Sequence, residues 1–484
     1  MQLTLPQAMD MAMTHLKNGR IAAGISMLRQ IVSIQPDHPV ALGTLGIALF
    51  NAQQIDESLK TFEQVSRLHP TWPDGWTNYA VILHRVGRLD DAAAALHKAM
   101  EHGGESPVVL NNLGGVLQDL GRYQEAIDLH RRSIAMKPDS ASALSNLGNA
   151  LKFSGQIDEA ISEFRRAIEL SPQDPTLHHF LGLTLLLRGD YESGLAEHEW
   201  RCRITGPQQY CADFPQPRWN GEPVEGKKIL IHAEQGFGDT IQFARYLPLV
   251  RKRGGSIVLR CQPELVRLMA GNTPAEQTIP ETAPPPPFDL HCPLMSLPFV
   301  FKTTLDSIPA TAKYISADPS LVEAWRGRLA PLAGRKVGVA WAGKKTYSDD
   351  RNRSMPLSAL SPLAKIEGAN WISLQKDSLD PASASQTGLS IADFAANLTD
   401  FAETAGLIEH LDLVVSVDTA VAHLAAAMGK TVYLLLPFVP DWRWLMHRAD
   451  SPWYPTVKLL RQPTPGDWQT PVNQLVTMLR EENC

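Results

Sequence analysis

A period of 34 residues runs through the first two hundred residues of the chain. The pairs Leu45-Gly46, Leu113-Gly114, Leu147-Gly148 and Leu181-Gly182 are separated by multiples of it. In the same register Gly19, Gly87, Gly121, Gly155 and Gly189 share one position, with Gln53 as the exception. Pro36, Pro70, Pro138 and Pro172 share another, where Gly104 replaces the missing proline, and Ala92, Ala126 and Ala160 share a third. Six units result, beginning at Leu5, Pro39, Pro73, Pro107, Ala141 and Pro175. Within each, two stretches of helical apolar periodicity flank the glycine, and the proline closes the second. Small residues (Ala12, Gly46, Ala80, Gly114, Gly148, Gly182) let the first helix of a unit approach its neighbour closely. Units that cannot bury an apolar face alone must stack, so the expectation is an all-α solenoid.

These units resemble tetratricopeptide repeats, and the likeness covers about residues 5 to 205. The resemblance implies a superhelix whose concave face binds a polypeptide. One position on the first helices reads Asp10, Thr44, Asn78, Asn112, Asn146, Phe180. Three consecutive asparagines make a ladder, each amide able to donate and accept one hydrogen bond to an extended backbone. The ladder is similar to that of the O-GlcNAc transferase superhelix. The competing reading is that asparagine serves helix packing at this position.

After Trp200-Arg201 the period ends. Residues 206–226, GPQQYCADFPQPRWNGEPVEG, are rich in Pro, Gly and polar residues, as a linker or cap would be. Short β-branched runs then alternate with helical stretches: KILIH, SIVLRC, FDLHC, KVGVAWA, WISLQ, LVVSV and TVYLLL. Strands alternating with helices predict parallel sheets covered on both faces. A linker-like passage from Ser307 to Arg335 separates two such sets. The expected organisation is a six-repeat superhelix over 1–205, a linker or cap over 206–225, and two Rossmann-like α/β halves, over 226–320 on the acceptor side and 321–484 on the nucleotide-sugar side.

Composition narrows the function classes. A formal net charge of −6 argues against a polyanion-binding surface, so no nucleic-acid partner is expected. The five cysteines (Cys202, Cys211, Cys261, Cys292, Cys484) show no CxxC and no dense spacing, which predicts reduced thiols and neither a disulfide framework nor a metal site. The N-terminal segment lacks the pattern of a secretory signal, and no apolar run is long enough to span a bilayer. The expected location is the cytoplasm.

In open parallel sheets ligands bind beyond the carboxyl ends of the strands. There LVVSV leads into Asp418-Thr419-Ala-Val-Ala-His423, where helix propensity begins at Thr419 and Gly429 supplies the stop. A helix start after a buried strand offers free amides and a partial positive charge suited to a diphosphate. The Thr419 hydroxyl and His423 would add contacts; the competing readings are N-capping for Asp418 and a satisfied helix histidine for His423. KILIH leads into His232-Ala-Glu-Gln-Gly236-Phe-Gly238-Asp239-Thr240. No third glycine and no Walker lysine follow. A carboxylate on this loop suits a general base for an acceptor hydroxyl, with Asp239 the first candidate and Glu234 its rival.

The GDT triplet with VDTAVAHLAAAMGKTV and the preceding DFAETAGLIEHLDLVV resembles glycosyltransferase family 9, the bacterial heptosyltransferases, over about residues 226 to 484. The resemblance implies a GT-B fold, with Asp239 as base and Asp418, Thr419 and His423 holding the nucleotide sugar. The chain departs from the family where Ala420-Val421 stand for Gly-Pro, and Arg353-Ser354-Met355-Pro356 only echo its KRWP stretch. No DxD triplet, the metal-holding pair of GT-A enzymes, is present. Leaving-group charge would then fall to amides and cations, and no metal or cofactor is expected. Lys344, Lys345, Arg351, Arg353 and Lys376 are the cations available, Arg353 and Lys376 foremost, beside Gly343. PFVPDWRW offers Phe438, Trp442 and Trp444 for stacking on a base or sugar, or equally for packing against the core or the repeats. Joined repeats and GT-B module are similar to O-GlcNAc transferase and to bacterial protein (including flagellin) glycosyltransferases. The expectation is metal-independent sugar transfer from a nucleotide sugar to a hydroxyl of a polypeptide acceptor. Two alternatives stand beside it: a scaffold whose transferase domain is inactive, and a transferase of small or lipid-linked glycans.

Overall fold

The computed structural model describes residues 4–206, 209–344 and 350–481. They form two compact units, residues 1–172 and 173–484. The first contains five antiparallel helix pairs in the expected register, from Leu5–Lys17 with Ile21–Ile34 to Ala141–Phe153 with Ile157–Leu170. Prolines open the first helix of several pairs, where the missing N–H costs nothing. The shared glycines adopt φ between 72° and 84° in this unit, and Gln53, the exception, takes the same left-handed conformation at 62°.

The close approach expected of the small residues is real. A Cβ on Gly148 would lie 2.9 Å from the Phe164 ring, and one on Gly46 would lie 2.5 Å from Phe62. In the fourth pair the ring stacked on the glycine is His130, at 2.6 Å from a Cβ on Gly114. His130 Nδ1 meets Asn111 Oδ1 at 3.0 Å, and the same oxygen accepts the Asn146 side-chain amide at 3.1 Å.

The sixth pair, Pro175–Arg188 and Tyr191–His198, packs with the second unit, one repeat before the register ends. Two contacts explain this. Trp453 donates its indole N–H to the Tyr191 hydroxyl at 3.0 Å, and Trp442 meets the Tyr191 ring edge-on at 5.9 Å. A short turn, Glu199–Arg203, then delivers Arg201 into the core.

Two parallel sheets follow. The first has the order β3-β2-β1-β4, from β1 (Lys228–His232), β2 (Ser256–Cys261), β3 (Gln277–Pro280) and β4 (Leu290–Pro293). The second has the order β10-β9-β8-β5-β6-β7, from β5 (Arg335–Ala340), β6 (Ala369–Ser373), β7 (Ile391–Ala392), β8 (Leu413–Val417), β9 (Thr431–Leu436) and β10 (Val457–Arg461). Strands β8 and β9 are buried almost throughout, as sheets covered on both faces require. Strand order reverses between β1 and β4 and between β5 and β8, which opens a crevice at their carboxyl ends.

One expectation is overturned. Cys202 and Cys211 form a disulfide, because the chain folds back beyond Arg203 and brings their Cα atoms to 4.9 Å. Cys261 and Cys292 are buried free thiols. Among the described residues no helix is long and apolar enough to cross a membrane.

Burial pushes the His130 pKa down to about 4. The unfolded chain takes up that proton near pH 6.5 and the folded chain only near 4, so stability is lost as pH falls through this window. Hydrogen exchange of residues 107–172 should show the fourth and fifth pairs weaker by about 2 kcal/mol at pH 5 than at pH 7. His130→Phe, the residue of the second and fifth units at this position, should flatten that difference; an unchanged pH dependence would remove His130 as its cause.

Candidate functional site

The loops beyond β1, β5, β8 and β9 meet on one crevice of the second unit. Beyond β1 the chain turns at Gly236 into the helix Phe237–Phe243, with Asp239 in its first turn. Asp239 Oδ2 accepts the Gly236 N–H at 2.8 Å, and Oδ1 accepts from Arg443 Nη2 at 2.5 Å. Thr240 is spent structurally, donating to Gln262 Oε1 at 2.9 Å. Beyond β8, Thr419 stands at the N-cap of the helix Ala420–Ala427, but its hydroxyl makes no capping bond. It lies instead 3.0 Å from the Ser416 hydroxyl. Among the described residues no backbone acceptor takes the N–H groups of Ala420 and Val421.

The two helix starts face each other. A Cβ on Gly238 would lie 2.8 Å from His423 Cδ2 and 3.6 Å from Ala420 Cα, so the second glycine of the GxG serves the approach of one sheet's helix to the other's. His423 is 5% exposed. Its Nδ1 is 2.9 Å from the Tyr454 hydroxyl, its Nε2 is 3.6 Å from Asp418 Oδ1, and its ring stacks on Trp444 at 5.3 Å. Burial opposes ionisation of Asp418, yet His423, the Trp444 indole and the Arg353 charge outweigh it and hold its pKa below the usual value.

Arg353 lies near enough for its charge to act on Asp418. It packs against Gly343, where a Cβ would lie 2.5 Å from its Nη2, and its Nε donates to Asp350 at 3.2 Å. Gly343 donates its N–H to Ser354 Oγ at 2.8 Å. Lys344 is exposed on the same loop, and Lys345 lies outside the described residues. Lys376 stands apart from this group: its Nζ donates to the Leu398 carbonyl at 2.5 Å, towards the β7 edge.

Glu234 is engaged elsewhere. Its side chain and that of Arg201 are both 0% exposed and pair at 2.8 Å. Burial pushes the Glu234 pKa up against the pull of Arg201. Arg201 also reaches Glu199 and Ser296, each at 2.8 Å. The described residues contain one cluster of metal-ligating type, Cys202, Cys211 and Glu234. Its sulfurs are joined in the disulfide and its carboxylate is held by Arg201.

Two residues of this crevice escaped the sequence reading. Arg443, from the PFVPDWRW loop beyond β9, is 7% exposed in its side chain and holds Asp239, Asp441 at 2.8 Å and Gln242 at 2.6 Å. Burial works against its charge, but Asp441 and Asp239 outweigh that and hold its pKa above the ordinary arginine value. Tyr454, 0% exposed, is the second. The only local signal was an arginine inside an aromatic loop at a strand's carboxyl end. Of the aromatic residues expected to stack on a ligand, Trp442 and Trp444 are buried in protein contacts.

In the first unit Asn78, Asn112 and Asn146 are all half-buried. Asn146 gives its amide to Asn111, while Asn78 and Asn112 make no side-chain hydrogen bond among the described residues.

Comparison with known proteins defines the class of the two parts. Residues 15–82, 74–139 and 105–173 match models described as tetratricopeptide repeat. Residues 376–434 match glycosyltransferase family 9 (heptosyltransferase). The chain joins tetratricopeptide repeats to a glycosyltransferase family 9 segment, and that segment contains the Asp418 loop. Among curated proteins it is similar to Protein FlbA of Caulobacter vibrioides, 26% identical over 295 residues, which cover 55% of this chain and 49% of FlbA. The match thus spans about half the length of that relative. Among solved structures, MamA from Desulfovibrio magneticus RS-1 is 20% identical, covering 33% of this chain and 90% of its own, with a TM-score of 0.31. A tetratricopeptide repeat protein from Parabacteroides merdae is 17% identical, covering 42% of this chain and 82% of its own, with a TM-score of 0.37.

Removing one partner of a buried ion pair strands the other and costs about 3–5 kcal/mol. Arg201→Ala should destabilise the second unit by that order in chemical unfolding, and Glu234→Gln by less. If Glu234→Gln instead left unfolding unchanged and abolished sugar transfer, Glu234 would return as the base.

Proposed function

We propose that this protein is a glycosyltransferase of GT-B type that moves a sugar from a nucleotide-sugar donor to a hydroxyl of a polypeptide held by the repeats. The observation that carries the reading is the meeting of the Asp239 and Asp418 helix starts across one crevice, the second within the family 9 match. In this reading the donor diphosphate lies against the open amides of Ala420 and Val421, with Asp418, Thr419 and His423 forming the loop beneath it. Arg353, with Gly343 and Lys344 on the loop beyond β5, supplies the positive surroundings, while Lys376 beyond β6 stays on the Leu398 carbonyl. The acceptor hydroxyl gives its proton to Asp239 as its oxygen bonds to the anomeric carbon. The bond from that carbon to the diphosphate oxygen breaks, and the departing anion takes up the charge. Fixed amides and nearby cations facing that charge lower the barrier without a metal.

Asp239 serves as base only when Arg443 releases it, since the guanidinium holds one oxygen and Gly236 N–H the other. The incoming diphosphate is the competing anion for Arg443. In the repeats, Asn78 and Asn112 offer amides to an acceptor backbone, with Asn146 beside them through Asn111. We place the protein in the cytoplasm, where nucleotide sugars are made.

Calorimetric titration of the full chain with UDP, ADP, GDP and dTDP tests the donor site. Saturable binding of one of them is expected, weakened at least tenfold by Asp418→Ala together with Arg353→Ala; no binding of any overturns the reading in favour of a scaffold. Asp239→Asn, which leaves Arg443 to the diphosphate, should keep or raise nucleotide affinity and lower transfer by about 10²–10⁴-fold. The acceptor is sought by intact mass of proteins from cells with and without the gene. With that acceptor in hand, Asn112→Ala with Asn78→Ala should weaken the polypeptide and spare a small acceptor; equal loss on both would end the ladder's role.

A further inference from the structure

His423 has two ring nitrogens, and both already have company inside the protein. Nδ1 faces the Tyr454 hydroxyl at 2.9 Å, and Nε2 faces Asp418 at 3.6 Å. Trp444 covers one side of the ring, and the Gly238 backbone is pressed against its edge. With a single ring proton, one nitrogen donates and the other accepts.

The surroundings decide which. The Tyr454 hydroxyl lies 3.5 Å from the Tyr314 hydroxyl. Tyr314 receives Arg245 Nη2 at 2.9 Å and shares its own proton between the Ile241 carbonyl at 3.1 Å and the Tyr454 hydroxyl at 3.5 Å. Its proton is therefore used, and its oxygen already takes a charged donor. The shorter contact of Tyr454, to His423, is the one left for the Tyr454 proton. At the other end Asp418 is a carboxylate, which accepts only. An unprotonated Nε2 would set one lone pair against another there, whereas Nε2–H opposes the negative charge with a donor.

We infer that Tyr454 is a positioning residue: its hydroxyl, anchored by Tyr314 and Arg245, fixes the His423 proton on Nε2 facing Asp418, so that His423 acts through Asp418 and not as a direct ligand of the donor. The anchor spans the crevice. Ile241 and Arg245 follow β1, Tyr314 lies in the passage between the sheets, and Tyr454 precedes β10. Arg245 fastens it further, with its guanidinium 4.4 Å from the centre of the Tyr454 ring and Nη1 bonded to the Trp453 carbonyl at 2.6 Å. The orientation of the Asp418 carboxylate is thereby tied to contacts made by the opposite sheet's helix. The donor part of this inference rests on the proposed nucleotide site; the proton assignment does not.

The test uses the full chain labelled with ¹⁵N-histidine, the His423 resonances being identified by their loss in His423→Gln. The wild type should show His423 as the Nε2–H form. Tyr454→Phe, which keeps the ring and removes the hydroxyl, should shift the signal towards the Nδ1–H form, and Tyr314→Phe should do so more weakly. An Nδ1–H signal in the wild type, or an unchanged signal in Tyr454→Phe, overturns the assignment. If Tyr454→Phe does not fold, the wild-type and Tyr314→Phe spectra decide. Titration with the nucleoside diphosphate that binds the wild type should then show three- to tenfold weaker affinity in Tyr454→Phe. A moved His423 signal with unchanged affinity overturns the link to the donor. If no diphosphate binds the wild type, the proposed function fails while the spectra still judge the proton assignment.

Discussion

The ion pair between Asp239 and Arg443 is the contact on which the crevice depends. One partner follows β1 and the other follows β9, and neither has much water left to solvate its charge. In such surroundings a separated carboxylate and guanidinium are each costly, which holds the two sheets' loops together. Gln242 and Asp441 extend the pair, and Phe243 and Trp442 lie against the guanidinium. Everything proposed for the site follows from this: the base is masked by a cation that a diphosphate would also seek. Opposed helix starts, a masked carboxylate and an anchored histidine make one arrangement and not three separate features.

How much of this was legible in the sequence depended on range. The 34-residue period needed only local repetition, and the glycines, prolines and small residues each had a packing job that the structure repeats pair after pair. The longer β-branched runs read as strands for the same reason. β3 and β7, with four and two residues, are too short to carry a period-two signature. β10, VKLLR, was passed over, its exposed lysine breaking the apolar run. Glu234 reads as a rival base because it sits on the right loop, and only the fold shows its pairing with Arg201 from the turn after the last repeat. Arg443 and Asp239 lie 204 residues apart, a separation that no local pattern bridges.

The cysteines teach the same point from the other direction. Their spacing gives no motif, so reduced thiols were the natural expectation. The bridge exists because the turn after the last repeat reverses at Arg203 and carries Cys211 back against it. The stretch read as a linker or cap participates in the core, with Cys211 beside Glu234 and Trp219 fully buried.

The sixth helix pair differs in kind from the five before it. In the first unit each pair presents nearly the same surface to the next, so a whole 34-residue period is an interchangeable module, and an array of four or six pairs there would still close its contacts. The sixth is not interchangeable, because Tyr191 and Arg201 are committed to Trp453 and Glu234. Interior periods can thus be copied or deleted to change the length of the repeat array, while the sixth pair is held to its residues by these contacts like a coupling flange.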